Sequence, residues 1–214
     1  MKIALVMEWS TAARNEIVFD VLKKVAEPKG HTVVNYGQFN AEDHRQTYVQ
    51  NAIFLATLLK SGAADFVVTG CGTGEGATLA ANAMPGVCCG LVIDPADSFL
   101  FTQINGGNCM SLAFAKGWGW AAEVNLEYIF EKFFAKEPGG GYPPSAAASE
   151  QRNAALLNKL KEVSHNSLEE ILSSEEPEVH DMVVNAFGGT RIELFREHCK
   201  DKELLKVVEA ALAR

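Results

Sequence analysis

The sequence is short of positive charge: 19 Lys and Arg stand against 27 Asp and Glu, a formal net charge of −8 over 214 residues. A duplex nucleic-acid binder needs a concentrated basic surface, so that class is excluded; a small anionic ligand, which needs only a few local donors, is not. The five cysteines, Cys71, Cys88, Cys89, Cys109 and Cys199, form no CxxC pair and no Cys/His metal spacing. Their odd number fits a reduced, cytoplasmic setting better than a disulfide framework, and no metal or cofactor is expected. No long apolar run is present. The opening "MKIALVMEWS" meets Glu8 too soon for a signal peptide or membrane span and reads as a buried strand, so no membrane partner is expected. No GK[ST] follows the glycine-rich loop, which excludes a Walker A phosphate loop. What is present is ordinary for a globular chain, 48% hydrophobic and 21% charged. The length suffices for one well-buried domain with an appendage.

Ile3–Met7, His31–Gly37, Asp65–Thr69, Val87–Asp94 and "NCMSLAF" (108–114) read as five strands. Between and after them lie helical patterns over 11–27, 43–61, 75–83, 95–104 and 117–135. Such alternation predicts an α/β fold, a three-layer α/β/α doubly wound five-stranded parallel sheet of Rossmann-like type. Ligands of such sheets sit at the carboxyl ends of the strands, here Met7–Ser10, Thr69–Gly76 and Asp94. "KEPGGGYPPSAAASEQ" interrupts the pattern. The division expected is 1–135 as the α/β domain, 136–150 as a linker and 151–214 as a helical C-terminal extension. The extension carries amphipathic helices over 152–163 and 202–213 with an irregular stretch between, and is expected to cap the sheet or pack on a partner subunit. Cys88, Cys89 and Cys109 read as buried strand residues, and His44 as a solvated histidine.

The chemistry concentrates in "TGCGTGEGATLAANAMPG" (69–86). Glycines 70, 72, 74 and 76 alternate with Cys71, Thr73 and Glu75. Glycine admits positive φ and close approach of a ligand to the backbone, and successive N–H groups in such a loop converge into an anion nest. The following helix adds the positive end of its dipole. Thiols at helix N-termini ionise more readily than free ones. A thiol and a carboxylate beside an oxyanion site suit proton abstraction next to a carbonyl, with the N–H groups holding the enediolate. Thr73 is placed to relay a hydroxyl proton. Two other readings stay open at this point. Gly72–Ala77 also fits a loose GxGxxA dinucleotide fingerprint with Asp94 about twenty residues on, although that fingerprint belongs after the first strand. Glu75 and Cys71 taken singly are also explained as a first-turn helix glutamate and a small buried residue.

The segment "GCGTGEGATLAANAMPG" resembles the "CGTGxG…AANKxPG" segment of the type B ribose 5-phosphate isomerases and galactose 6-phosphate isomerases, over roughly residues 1–152. The resemblance implies a doubly wound α/β domain and a homodimer with sites built at the subunit interface. It also implies cofactor-free aldose–ketose interconversion of a sugar phosphate through an enediolate. On it, Cys71 or Glu75 is the base and Thr73 the proton relay. Gly72, Gly74 and Gly76 form the anion hole. Tyr48 is a sugar contact, Asn105 and Asn108 match the asparagines of "HNxxN", and Arg152 matches a phosphate-binding arginine. Glu8 and Trp9 stand where the family has "DH". The family's ring-opening histidine lines up with Ile104, one phosphate arginine with Ala148, and another near Lys116 or Gly117. The enediolate machinery is therefore expected to be present, with ring opening and part of the phosphate clamp missing. A substrate that is already open-chain, such as a short four-carbon sugar or its phosphate, fits these departures, within a range of four- to six-carbon sugars of the ribose 5-phosphate type. A sugar-binding module that has lost turnover is the alternative, since fold alone does not guarantee activity.

Overall fold

The computed structural model describes residues 1–214. Five strands, β1 (Lys2–Val6), β2 (Thr32–Asn35), β3 (Phe66–Cys71), β4 (Cys89–Val92) and β5 (Cys109–Ala113), form one sheet of order β2-β1-β3-β5-β4. Every pairing is parallel. The expected three-layer doubly wound architecture is therefore the one observed. On one face, α1 (Asn15–Ala26) and α5 (Ala122–Phe133) bury Val18, Leu22, Ile129 and Phe130 against Ile3, Leu5, Val68 and Met110 of the sheet. On the other face, α2 (Tyr48–Lys60) and α3 (Glu75–Asn82) pack against Ala4, Val6 and Val67. Alternate residues of each strand serve alternate faces, which is why these strands read as continuous apolar runs. No helix is long and apolar enough to cross a membrane.

Several elements begin or end away from their sequence boundaries. The helix after β1 opens as a tight 3-10 turn (Trp9–Arg14) before α1, because the Glu8 carboxylate caps Ser10. The segment 43–47 is not helical. Asp43 Oδ2 accepts from the amides of Phe39 and Asn40, 2.6 and 3.2 Å away, which holds the chain in a turn until Thr47 caps α2. β3 runs on through Gly70 and Cys71, since a Cβ on Gly70 would overlap the carbonyl oxygen of Leu112 on neighbouring β5 and the ring of Phe114 just after it. α4 (Pro95–Leu100) continues into a wide π-type turn, Phe101–Asn105. The ring of Phe101 lies where a Cβ would stand on either Gly90 or Gly107. α5 starts only at Ala122, because the amides of Ala115 and Lys116 turn back to Gly72 O at 3.0 and 2.8 Å.

The tail is more ordered than its sequence suggested. α6 (Ala147–Ser164) is followed by α7 (Leu168–Leu172), α8 (Pro177–Ala186), α9 (Arg191–His198) and α10 (Lys202–Leu212), so three helices occupy the stretch read as irregular. Leu168, Leu172, Val183, Phe187, Phe195, Leu204 and Val208 join the same apolar cluster as α2, with edge-on aromatic contacts between Phe54, Phe187 and Phe195. α6 alone buries no residue and exposes Leu156, Leu160 and Val163.

Candidate active site

The order of the sheet reverses between β1 and β3: α1 leaves β1 toward one face, and α3 leaves β3 toward the other. The crevice opened there is where ligands of such folds bind. Two loops meet in it. After β3, Cys71 ends the strand in register with Ala113 and is only 7% exposed. Gly74 follows at φ +80°, with Leu112 atoms 3.0 and 3.1 Å from where a Cβ would stand, so glycine is required for both backbone angle and space. Its carbonyl accepts from Ser111 Oγ at 2.7 Å and from the amide and hydroxyl of Thr78 at 3.0 and 2.8 Å, which fastens the loop to β5 and α3. Thr73 Oγ1 accepts from the Glu75 amide at 3.3 Å. No protein acceptor takes the amides of Thr73, Gly74 or Gly76. Three N–H groups at a helix N-terminus, beside a thiol, are thus free for an anion.

After β1, Glu8 is 7% exposed, and its carboxylate receives both the Ser10 amide at 3.3 Å and the Ser10 hydroxyl. Val6 pairs with Thr69, and the same register carried two residues on sets Glu8 level with Cys71. The Trp9 indole donates to Ala41 O at 3.1 Å and lies 4.2 Å beneath the Arg45 guanidinium. Tyr48, at the start of α2, places its ring 3.3 Å from the Cβ position of Gly76. Glu75 points outward, 61% exposed, with Lys116 Nζ 3.9 Å away. Glu8, Trp9, Tyr48 and the 71–76 loop therefore meet at one end of the sheet, joined by Lys116 and Arg45. No three His, Cys, Asp or Glu side chains group as metal ligands.

Asn105, Asn108 and Arg152 do not join them. Asn108 precedes β5, five residues before Ala113, the partner of Cys71; at about 3.3 Å per residue that is roughly 16 Å away, at the amino end of the sheet. Both ends of its amide are engaged, Oδ1 with the Cys88 amide and Nδ2 with Gly86 O, each at 2.8 Å. Asn105 ends the wide turn and lines a 250 Å³ cavity with Ile104 and Asn153 of α6. Arg152 is exposed on α6, with one 3.4 Å contact to Ser149. Next to them a groove of about 600 Å³ is lined by Asn108, Cys88, Lys161 and His165. Cys88 is not a strand residue: it stands just before β4, half-buried in that groove, where burial pushes its thiol upward against the pull of Lys161. Cys89 and Cys109 are the buried strand residues expected, and burial holds Cys109 protonated. His44 is exposed, as read, with Nε2 3.0 Å from Asn185 Oδ1 on α8.

The ribose/galactose isomerase family model matches residues 3–152. The chain belongs to that family. This sugar isomerase is 45% identical, over all of both chains, to a 4-deoxy-L-threo-5-hexosulose-uronate ketol-isomerase solved with a tartrate, at a TM-score of 0.95. It is 48% identical to a ribose-5-phosphate isomerase from Vibrio parahaemolyticus over 99% of each chain, at a TM-score of 0.93. A type B ribose 5-phosphate isomerase from Trypanosoma brucei shares the fold at 21% identity and a TM-score of 0.62; the match covers 97% of that protein but 74% of this one. No match was found among curated proteins.

The sequence pattern had Lys116 only as a position near a phosphate arginine of the family, and overlooked Arg45 as a neighbour of the loop and Arg191 of the tail. Arg191 opens a helix that carries Ile192, Leu194 and Phe195, directly after the turn at Gly188–Gly189–Thr190. That placement is the one signal that marks it.

Proposed function

We propose that the chain interconverts an aldose and a ketose through an enediolate, with Cys71 as the base. The observation that carries this reading is the nearly buried Cys71 thiol beside three uncommitted amides at the crevice between β1 and β3. In its thiolate form Cys71 takes the proton from the hydroxyl-bearing carbon next to the carbonyl. The charge moves onto the carbonyl oxygen, where the Thr73, Gly74 and Gly76 amides meet it. The proton returns to the former carbonyl carbon, and Thr73 passes the hydroxyl proton between the two oxygens. Glu75 is the weaker candidate for base, because it faces solvent and Lys116. Gly72 contributes its carbonyl, which accepts from the amides of Ala115 and Lys116 at 3.0 and 2.8 Å. Glu8 and Tyr48 hold the sugar hydroxyls, and Trp9 stacks on its face.

The substrate favoured is an open-chain keto-uronate of the kind named for the uronate ketol-isomerase relative. Ile104 offers no proton for ring opening, and Ala148 offers no charge to a phosphate. Lys116 and Arg45 stand ready for a carboxylate. The Vibrio relative, equally full-length, favours ribose 5-phosphate as the second reading. The site is shared between two copies of the chain. Asn105, Asn108 and Arg152 lie at the wrong end of the sheet for their own Cys71, and a partner places them opposite it. Five free thiols suit the reducing cytoplasm.

Proton NMR in D2O tests the reading on keto-uronates, ribose 5-phosphate and unphosphorylated pentoses and hexoses. Exchange of the carbon-bound proton is expected with a keto-uronate. It should fall by about 10³ in Cys71→Ala and less than about tenfold in Glu75→Gln. Exchange confined to ribose 5-phosphate would reverse the substrate order. None with any sugar would leave a binding module.

A further inference from the structure

Arg191 is 2% exposed, yet no carboxylate contacts its guanidinium. Nε donates to Tyr36 O at 3.0 Å, Nη1 to Asn51 Oδ1 at 2.8 Å and more distantly to Ala186 O, and Nη2 to Met7 O at 3.1 Å. The plane also lies 4.9 Å over the Phe54 ring. Burial lowers the pKa to about 9, which still leaves the group charged near neutral pH. Taking a cation out of water with only neutral acceptors is costly, and a structural tie at this place would be met more cheaply by apolar packing. What distinguishes the four acceptors is where they sit. Met7 is the last residue before Glu8 and Trp9. Tyr36 leads out of β2 beside it, and the Met7 amide bonds Gly37 O while the Gln38 amide bonds Met7 O. Asn51 is one turn into α2, three residues from Tyr48. Ala186 ends α8.

We propose that Arg191 is a positioning residue: its planar fork fixes the exits of β1 and β2 against the first turn of α2, and thereby sets Glu8, Trp9 and Tyr48 against the Cys71 loop. The tail helices thus do more than cap a sheet face. They deliver one rigid, multi-pronged donor to the substrate side of the crevice, from beyond the segment that the family model matches. A lysine cannot replace it, because an ammonium on a flexible stem cannot reach three separate acceptors in one plane. The consequence for turnover rests on the isomerase reading; the placement of the backbone does not.

The test is Arg191→Lys, with Asn51→Ala as a second variant that keeps the guanidinium and removes one anchor. Amide hydrogen exchange by mass spectrometry is expected to accelerate at least about tenfold in peptides covering 7–10 and 36–38, while peptides covering β3 keep their protection. On the substrate that the wild type turns over, KM should rise about tenfold in Arg191→Lys with kcat per folded molecule changed far less, since on the proposed reading the displaced groups contact the sugar and not the migrating proton. Asn51→Ala should show the same split, more weakly. Protection lost evenly across the whole sheet, or unchanged at 7–10 and 36–38, would overturn the proposal, as would an unchanged KM in both variants. Should the wild type turn over no sugar, the exchange measurement still decides where Arg191 acts, and only the isomerase reading falls. Should Arg191→Lys not fold, Asn51→Ala decides alone.

Discussion

Gly74→Ala separates the two demands placed on the Cys71–Gly76 loop: that it fold, and that it perform the chemistry proposed for it. At φ +80° an L side chain costs about 1–2 kcal/mol. The new Cβ would also stand 2.6 Å from Leu91 Cδ1 and 3.0 and 3.1 Å from the Leu112 carbonyl carbon and oxygen. The Leu91 methyl can swing aside, but Leu112 is backbone in the sheet and cannot. Overpacking of this kind adds about 1–3 kcal/mol. The total of about 2–5 kcal/mol is below the stability of a typical domain, so the variant folds, with Tm lowered by about 2–4 °C for each kcal/mol. Gly86 is the control: at φ +71° with nothing within 4 Å, its alanine variant meets the backbone term alone. On the isomerase reading proposed above, the loop also carries function. Displacing Gly74 moves the amides beside Cys71 and strains the bonds from Ser111 and Thr78 to its carbonyl. A shift of about 1 Å at such a site lowers kcat/KM by about a hundredfold. Thermal melts and kinetics at 20 °C on both variants measure the two effects. The reasoning is wrong if Gly74→Ala melts together with Gly86→Ala and turns over as the wild type does.

Two further outcomes follow from the same geometry. On the proposal that two copies of the chain share each site, mixing Cys71→Ala with Asn105→Ala, after unfolding and joint refolding, should restore about a quarter of wild-type activity, because half the dimers would be mixed and each would hold one intact site of two; no recovery would place the whole site within one chain. Lys60 donates to Glu169 at 2.6 Å and holds its carboxyl below the ordinary value, so the pair's stabilisation is present above that value and lost as pH falls through the folded pKa. Both side chains are about two-fifths exposed, so Glu169→Gln should cost under about 1 kcal/mol at pH 7, and the gap in Tm should close as the pH falls below the ordinary glutamate range.

The sheet was legible because each strand is an apolar run and each crossover is long enough for a helix. The Cys71–Gly76 loop was legible because alternating glycines serve a purpose that few other patterns do. Boundaries were misplaced where a distant partner decides them. Gly70 looks like a turn residue but lies in β3, since its missing side chain admits Leu112 and Phe114. The helical pattern from Asp43 has the composition of a helix, but the Asp43 carboxylate is spent on a turn. At Gly117 the helical pattern gives way to the bonds from Ala115 and Lys116 to Gly72, and Ala121 at φ +64° delays the helix further. The three middle tail helices are too short to show a clear period, and only their packing against α2 makes them stable. Asn105, Asn108 and Arg152 match by motif and yet stand apart from Cys71, because a motif fixes spacing along the chain and not the end of the sheet at which a residue emerges.

Phe101 occupies the space that side chains on Gly90 and Gly107 would need. These three positions lie on α4's continuation, β4 and the approach to β5, and none can change alone. A larger residue at either glycine meets the ring; a smaller residue at Phe101 leaves a void beside two bare backbones. Evolution in this corner must therefore move by paired steps through weakened intermediates, and that would keep the turn bearing Ile104 and Asn105 in place while the residues upon it remain free to vary. On the proposed reading of Ile104 and Asn105, a change of sugar preference is then expected to come from exchanging side chains on this turn, with insertions and deletions within it disfavoured.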